Sequence, residues 1–224
     1  MARIKRIVVP GVAHHVVQRG VRSTDIFSKE EDRREYLRLL REQAKLCGVR
    51  FLAYSLMTKH VHLLVIPEKR DSLALAIGEA HRRYTRMINI RENVRGFLFQ
   101  GRFSSCPVYT GKYLFTSVRY IEQEAVRDKL VTNAWEYKWS SAGYRAGRVV
   151  HDQLVKEPPI ISDGFDWQEF LFLESVLIRQ LQEKIRTGRP FGPDSFYEII
   201  KKLTGRDTRP KSPGRPRKNR EVYV

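Results

Sequence analysis

The chain is poor in several things that other proteins rely on. Only two of its 224 residues are cysteines, Cys47 and Cys106. Two lone thiols exclude a disulfide framework and a Cys-x-x-Cys metal cluster, and they suit a reducing compartment. Long uncharged apolar runs are missing, and the apolar run near the N-terminus, Ile7-Val8-Val9, is too short for a secretion signal. Acidic residues are scarce: 25 Asp and Glu stand against 42 Lys and Arg, a formal charge of +17. Such an excess favours a polyanionic partner, nucleic acid first and an anionic membrane surface second. The expectation is a cytoplasmic, nucleoid-associated protein with no membrane segment and no small-molecule cofactor.

What the sequence does contain centres on Lys59-His60-Val61-His62-Leu63-Leu64. In an extended strand alternate side chains share a face, so His60 and His62 point one way and Val61 the other. Two polar rings cost free energy on an otherwise apolar strand, and metal ligation is one reason to keep them. A hydrogen-bonded histidine at a sheet edge is the plainer alternative.

The regular elements follow from periodicity. His14 to Arg19 reads as a strand, in which His15 either sits near the site or, in the preferred reading, is a core or edge histidine. Ser28-Lys29-Glu30-Glu31 reads as a capping box opening a helix with an apolar stripe of Tyr36, Leu37, Leu40, Ala44 and Cys47, closed by Gly48. Val49 to Leu56 and the His-Val-His run form two strands joined by only Met57-Thr58-Lys59, which allows antiparallel pairing alone. Ser72 caps a second helix, with Leu73, Ala76, Ile77, Ala80, Tyr84, Met87 and Ile88 on its inner side and Arg82, Arg83 and Arg86 on another. Those arginines suit either a solvated face or phosphate contact. Phe97 to Tyr109 reads as a fourth strand with a glycine kink, and Lys112 to about Arg127 as a third helix. The resulting βαββαβ order predicts an α+β fold with a ferredoxin-like antiparallel sheet and one added helix.

On that added helix Leu114, Val118, Ile121 and Ala125 form the packing stripe. Tyr120 and Glu124 are an i, i+4 pair on an adjoining face. A phenol with a pKa near 10 is a weak nucleophile, so it needs a metal to polarise its target or draw off its proton. Glu124 would complete the ligand set begun by His60 and His62. Tyr120 could equally be one of ten tyrosines half-buried for packing.

Taken together, Leu56-Met57-Thr58-Lys59-His60-Val61-His62-Leu63-Leu64, Leu98-Phe99-Gln100-Gly101-Arg102-Phe103, Arg119-Tyr120-Ile121, Val126-Arg127-Asp128-Lys129-Leu130-Val131 and Trp139-Ser140-Ser141 resemble the REP-associated tyrosine transposases. These are single-tyrosine members of the HUH nuclease superfamily, and the resemblance runs from about Arg3 to Gly147. It implies that His60 and His62 bind a metal, Mg²⁺ or Mn²⁺. It also implies that Tyr120 attacks a DNA phosphodiester to give a 5′-phosphotyrosine and a free 3′-hydroxyl on single-stranded, hairpin-bearing DNA. Two departures stand out. Glu124-Ala125 replaces the usual Asn-Pro, where the asparagine is a third metal ligand, and Met57-Thr58-Lys59-His60 replaces Met-Pro-Asn-His. A carboxylate is the stronger ligand for a hard cation, so the first change shifts metal preference more than it removes chemistry. By donor chemistry alone, two imidazoles and a carboxylate suit zinc or manganese.

The expected organisation is a transposase or nuclease domain over residues 1–150, a helical appendage over 151–205 and a basic tail over 206–224. The appendage, with Trp167 to Arg186 mostly helical and a last helix presenting Phe196, Ile199, Ile200 and Leu203, either grips DNA or packs as support. In the tail, Pro213-Gly214-Arg215-Pro216-Arg217-Lys218 resembles an AT-hook, whose Arg-Pro-Arg would lie in a minor groove. Arg19, Arg22, Arg83, Arg102, Lys112, Arg215 and Arg217 are the expected backbone contacts, and a monomer is favoured over a dimer. A non-catalytic protein that recognises palindromic repeats and a water-using phosphohydrolase are the competing functions.

Overall fold

The computed structural model describes residues 6–156 and 165–210. In chain order its strands and α-helices are β1 (Ala13–Arg19), α1 (Glu30–Cys47), β2 (Val49–Leu56), β3 (His60–Pro67), α2 (Ser72–Arg91), β4 (Ser104–Val108), α3 (Lys112–Glu122), α4 (Glu124–Arg127), α5 (Ala142–Arg145), α6 (Trp167–Phe172), α7 (Ile178–Thr187) and α8 (Asp194–Thr204). The four strands form one antiparallel sheet in the order β2-β3-β1-β4, the topology expected of a ferredoxin-like βαββαβ unit.

Alternation along β3 sorts the interior into two layers. Val61, Leu63 and Val65 pack with α1 and α2 through Tyr36, Leu40, Ile77 and Tyr84. Leu64, with Ala53 and Cys106, faces the other way, onto Val118 and Ile121 of α3, Trp167, Phe170 and Leu181 of the later helices, and Phe191 between α7 and α8. His60 and His62 share the Leu64 side, so the α3 layer is the one they enter. A further segment bonds to each edge of the sheet, which blunts its open hydrogen-bonding groups. Trp139 and Ser141 bond to β2, the first accepting from Leu56 N at 2.9 Å and the second donating to the Tyr54 carbonyl at 3.1 Å, while Phe191 pairs with Pro107 and Tyr109 beside β4.

Gly48 ends α1 at φ 64°, the left-handed conformation a helix stop favours. At Gly20 a Cβ would stand 2.1 Å from the Thr24 carbonyl oxygen, so the turn after β1 closes only around glycine.

Five local expectations need correction. The α1 cap is not the Ser28 hydroxyl: the Asp32 carboxylate accepts from the backbone N–H groups of Ser28 and Lys29 at 2.9 and 3.0 Å and also pairs with Arg91 of α2. Ser72 likewise is not a cap but the first residue of α2, its hydroxyl accepting from Lys69 N at 3.1 Å. Residues 97–103 are not strand. Phe99 leaves the alternating pattern to stack on His81 of α2, with centroids 4.2 Å apart, so regular pairing begins only at Ser104. The third helix breaks at Gln123 and resumes as the single turn α4. On α8, Phe196 and Ile200 are buried, whereas Ile199 and Leu203 face outward. The boundary proposed at Pro158-Pro159 and the AT-hook-like Pro213 to Lys218 lie outside the described residues.

Two buried histidines make the fold acid-sensitive. Burial lowers His14 from 6.5 to about 4 and His81 to about 3. Below pH 6.5 the unfolded chain binds protons that the folded chain refuses, so stability falls as pH drops from 6.5 towards 4, by about 1.4 kcal/mol per pH unit for each histidine. Denaturant titrations at pH 6 and pH 5 should show that loss, and equal stability at the two values would contradict it.

Candidate active site

The antiparallel register places Arg19 opposite His60 and Val17 opposite His62. His60 therefore sits where β3 begins and His62 one full pleat further in, buried at 4% exposure. The turn α4 crosses this end of the sheet and delivers Glu124. Its Oε1 lies 3.1 Å from His60 Nε2 and 3.7 Å from His62 Nε2. One donor atom from each of the three residues lies within 4.8 Å of the other two. Two imidazole nitrogens and a carboxylate oxygen are a donor set that fits a divalent cation and leaves positions open for further ligands. Burial keeps the His60 imidazole below its usual pKa. It pushes His62 well below, with His15, His60, Arg127 and Arg19 adding in the same direction. Both rings are thus neutral near pH 7, the state in which imidazole ligates.

Tyr120 arrives from the last turn of α3. Its ring centroid stands 5.8 Å from that of His62 and 5.9 Å from that of His15, and it is half-buried. The break at Gln123 is bridged by Arg127. Its guanidinium lies 4.0 Å over the Tyr120 ring, donates to the Tyr120 carbonyl and pairs with the second Glu124 oxygen. One arginine thus fixes the phenol and the carboxylate relative to each other. Tyr113 packs on Phe191 and Tyr109 with centroids 5.0 and 6.2 Å away.

Sequence reasoning missed three contributors. His15, for which a core or edge place was preferred over one near the site, belongs to the site: its Nε2 lies 2.8 Å from His62 Nδ1 in a buried contact. Arg127 stood in a quoted motif without a role. Glu122, two residues after Tyr120, is fully buried and accepts from the Ser141 hydroxyl at 2.5 Å and Trp167 Nε1 at 2.8 Å, with Arg145 Nε at 3.0 Å. That carboxylate ties the end of α3 to α5 and α6.

The expected DNA contacts scatter. Arg19 and Arg22 are exposed at the turn beside His60, Arg22 at φ 49°. Arg83 is held 2.5 Å from Glu42 of α1, on the opposite layer. Arg102 is exposed on the loop before β4, and Lys112 is exposed in the first turn of α3, 5.6 Å from the Tyr113 ring centre. Arg215 and Arg217 lie outside the described residues. Among those residues, no helix is long and apolar enough to cross a membrane.

The family model described as "Transposase IS200 like" matches residues 8–124, which include His60, His62, Tyr120 and Glu124. The chain belongs to this IS200-like transposase family, and membership makes it a DNA transposase, with DNA-cleaving activity implied. Among solved structures it is similar to a REP-associated tyrosine transposase bound to a REP hairpin, with a TM-score of 0.58 and 14% identity over 73% of this chain and 96% of the other. A crystallised protein of Deinococcus radiodurans R1 is 18% identical over 57% of this chain and 98% of the other, with a TM-score of 0.37. The search of curated proteins returned no match.

Proposed function

We propose that this transposase cleaves and rejoins single-stranded, hairpin-bearing DNA through a covalent link to Tyr120. The observation that carries the reading is the Tyr120 ring packed against His62, on the sheet face where His60, His62 and Glu124 converge. The Tyr120 oxygen attacks the scissile phosphorus and the bond from phosphorus to the 3′ oxygen breaks. The phenolic proton passes to water and the leaving 3′ oxygen takes a proton from water, leaving a 5′-phosphotyrosine and a 3′-hydroxyl. Attack of a 3′-hydroxyl on the phosphotyrosine reverses the step and rejoins a strand. His60, His62 and Glu124 would hold Mg²⁺ or Mn²⁺, which when bound neutralises phosphate charge and favours the ionised phenol. Arg127 keeps Tyr120 and Glu124 in register, and Arg19 and Arg22 border the entrance at the His60 end.

Incubation with a hairpin DNA bearing unpaired arms and Mn²⁺ should give a protein–DNA adduct that survives denaturation. Cleaved DNA with no adduct would favour direct hydrolysis by water. DNA binding with no cleavage in any metal would favour the non-catalytic reading, for which one feature speaks: Arg127 already engages one oxygen of Glu124.

The third imidazole sets a tautomer. For His62 to offer Nε2 to a cation its proton must sit on Nδ1, and that N–H is donated to His15 Nε2. His15→Ala should weaken Mn²⁺ binding by roughly 10- to 100-fold, and His15→Gln, which keeps an acceptor, by less. Calorimetric titration measures both, and equal affinity in the Ala variant would remove His15 from the site.

A further inference from the structure

A second surface lies on the opposite layer of the sheet. Between α2 and the 93–103 loop runs a groove of about 970 Å³. Its floor is aromatic: His81 and Phe99 stack in it, and Phe103 lies beneath the Arg6 guanidinium at 3.5 Å. Along its rim large apolar side chains are left in water, with Ile90 at 70% exposure, Val94 at 52% and Phe97 at 86%. Cationic groups alternate with them. Arg82 is held by Glu79, but Arg86 and Arg95 make no hydrogen bond or ion pair among the described residues.

We propose that this groove binds an unpaired stretch of the DNA strand that the site acts on, with a base stacked on Phe97 and phosphates on Arg86 and Arg95. An exposed aromatic ring among arginines is the combination that holds single strands, because an unpaired base offers a face to stack and the backbone offers charge. A duplex, with its bases already stacked, would use the arginines and leave Phe97 idle. The groove also connects to the catalytic end of the sheet. Phe99 bridges Gly20, Gln100 N donates to the Arg19 carbonyl at 2.8 Å, and Arg19 is the register partner of His60. A strand leaving the His60 end thus reaches the groove over Gly20, around the end of the sheet.

The chain's own termini do not complement this surface. Arg206 donates to the Arg6 carbonyl at 3.2 Å, so both ends of the described chain meet beside the groove. Beyond them residues 1–5 carry Arg3 and Lys5, and residues 211–224 carry five basic residues against Glu221. Like charge makes these segments poor occupants of the groove.

The inference takes its ligand class from the transposase assignment but does not depend on Tyr120 chemistry. The test is fluorescence anisotropy of the full chain in EDTA, with a labelled oligothymidylate and a labelled duplex of equal length. Phe97→Ala should weaken single-strand binding about tenfold and duplex binding by less than about twofold, while Phe97→Trp keeps wild-type affinity. Arg86→Ala with Arg95→Ala should weaken both ligands and flatten the salt dependence. Unchanged single-strand affinity in Phe97→Ala, or an equal loss on duplex, overturns the proposal. Because Phe97 projects into water its truncation opens no cavity, and an unchanged melting midpoint confirms that. A wild-type chain that forms no adduct with hairpin DNA while the Phe97 effect stands would be a failure of the covalent reading alone.

Discussion

Tyr120→Phe should form no covalent adduct with hairpin DNA, and strand cleavage should fall by at least about a thousandfold, as expected when a nucleophile is removed. The substitution deletes one oxygen and leaves the ring. That ring packs against His62 and His15 and under the Arg127 guanidinium, contacts a phenylalanine repeats. Stability should consequently change by no more than about 1 kcal/mol, and Mn²⁺ binding should persist. Gel analysis of denatured reaction mixtures reads the adduct, and an adduct of wild-type intensity in the variant would move the nucleophile elsewhere. Tyr113, bound into the Phe191 and Tyr109 cluster, is poorly placed to replace it.

The second large effect belongs to His62. His62→Ala removes a donor that burial keeps neutral and that His15 orients, so Mn²⁺ affinity should drop by at least about a hundredfold and adduct formation should fall with it. Glu124→Gln should cost less. The amide keeps an oxygen near His60 and gives up the charge that pairs with Arg127. Titration calorimetry with Mn²⁺ separates the two variants. A His62→Ala protein that bound Mn²⁺ as tightly as wild type would show that the cation, if it binds, binds elsewhere.

The reasons these residues meet were partly legible in the sequence. Period-two alternation alone puts His60 and His62 on one face, and the three-residue link before them forces β2 and β3 to pair antiparallel. Helical periodicity brings Tyr120 and Glu124 to one side. His15 could not be read in the same way. Its approach to His62 depends on the β1–β3 register, Val17 opposite His62, and nothing local to either strand specifies that pairing. The break at Gln123 was hidden for a related reason: Arg127 stabilises it by reaching back to the Tyr120 carbonyl, a side-chain contact that a hydrophobic stripe does not record. Residues 97–103 have the composition of a strand, but the His81 ring draws Phe99 out of the pattern, so tertiary packing overrode local preference. Glu122 carries no local signal that sets it apart. Its partners Ser141, Arg145 and Trp167 come from elements up to 45 residues away.

Mass spectrometry of the wild-type adduct, digested after reaction with hairpin DNA and Mn²⁺, tests the central claim most directly. The account predicts a nucleotide remnant on the peptide that contains Tyr120, on that side chain alone. A remnant on any other residue, or cleaved DNA whose protein carries none, would contradict it.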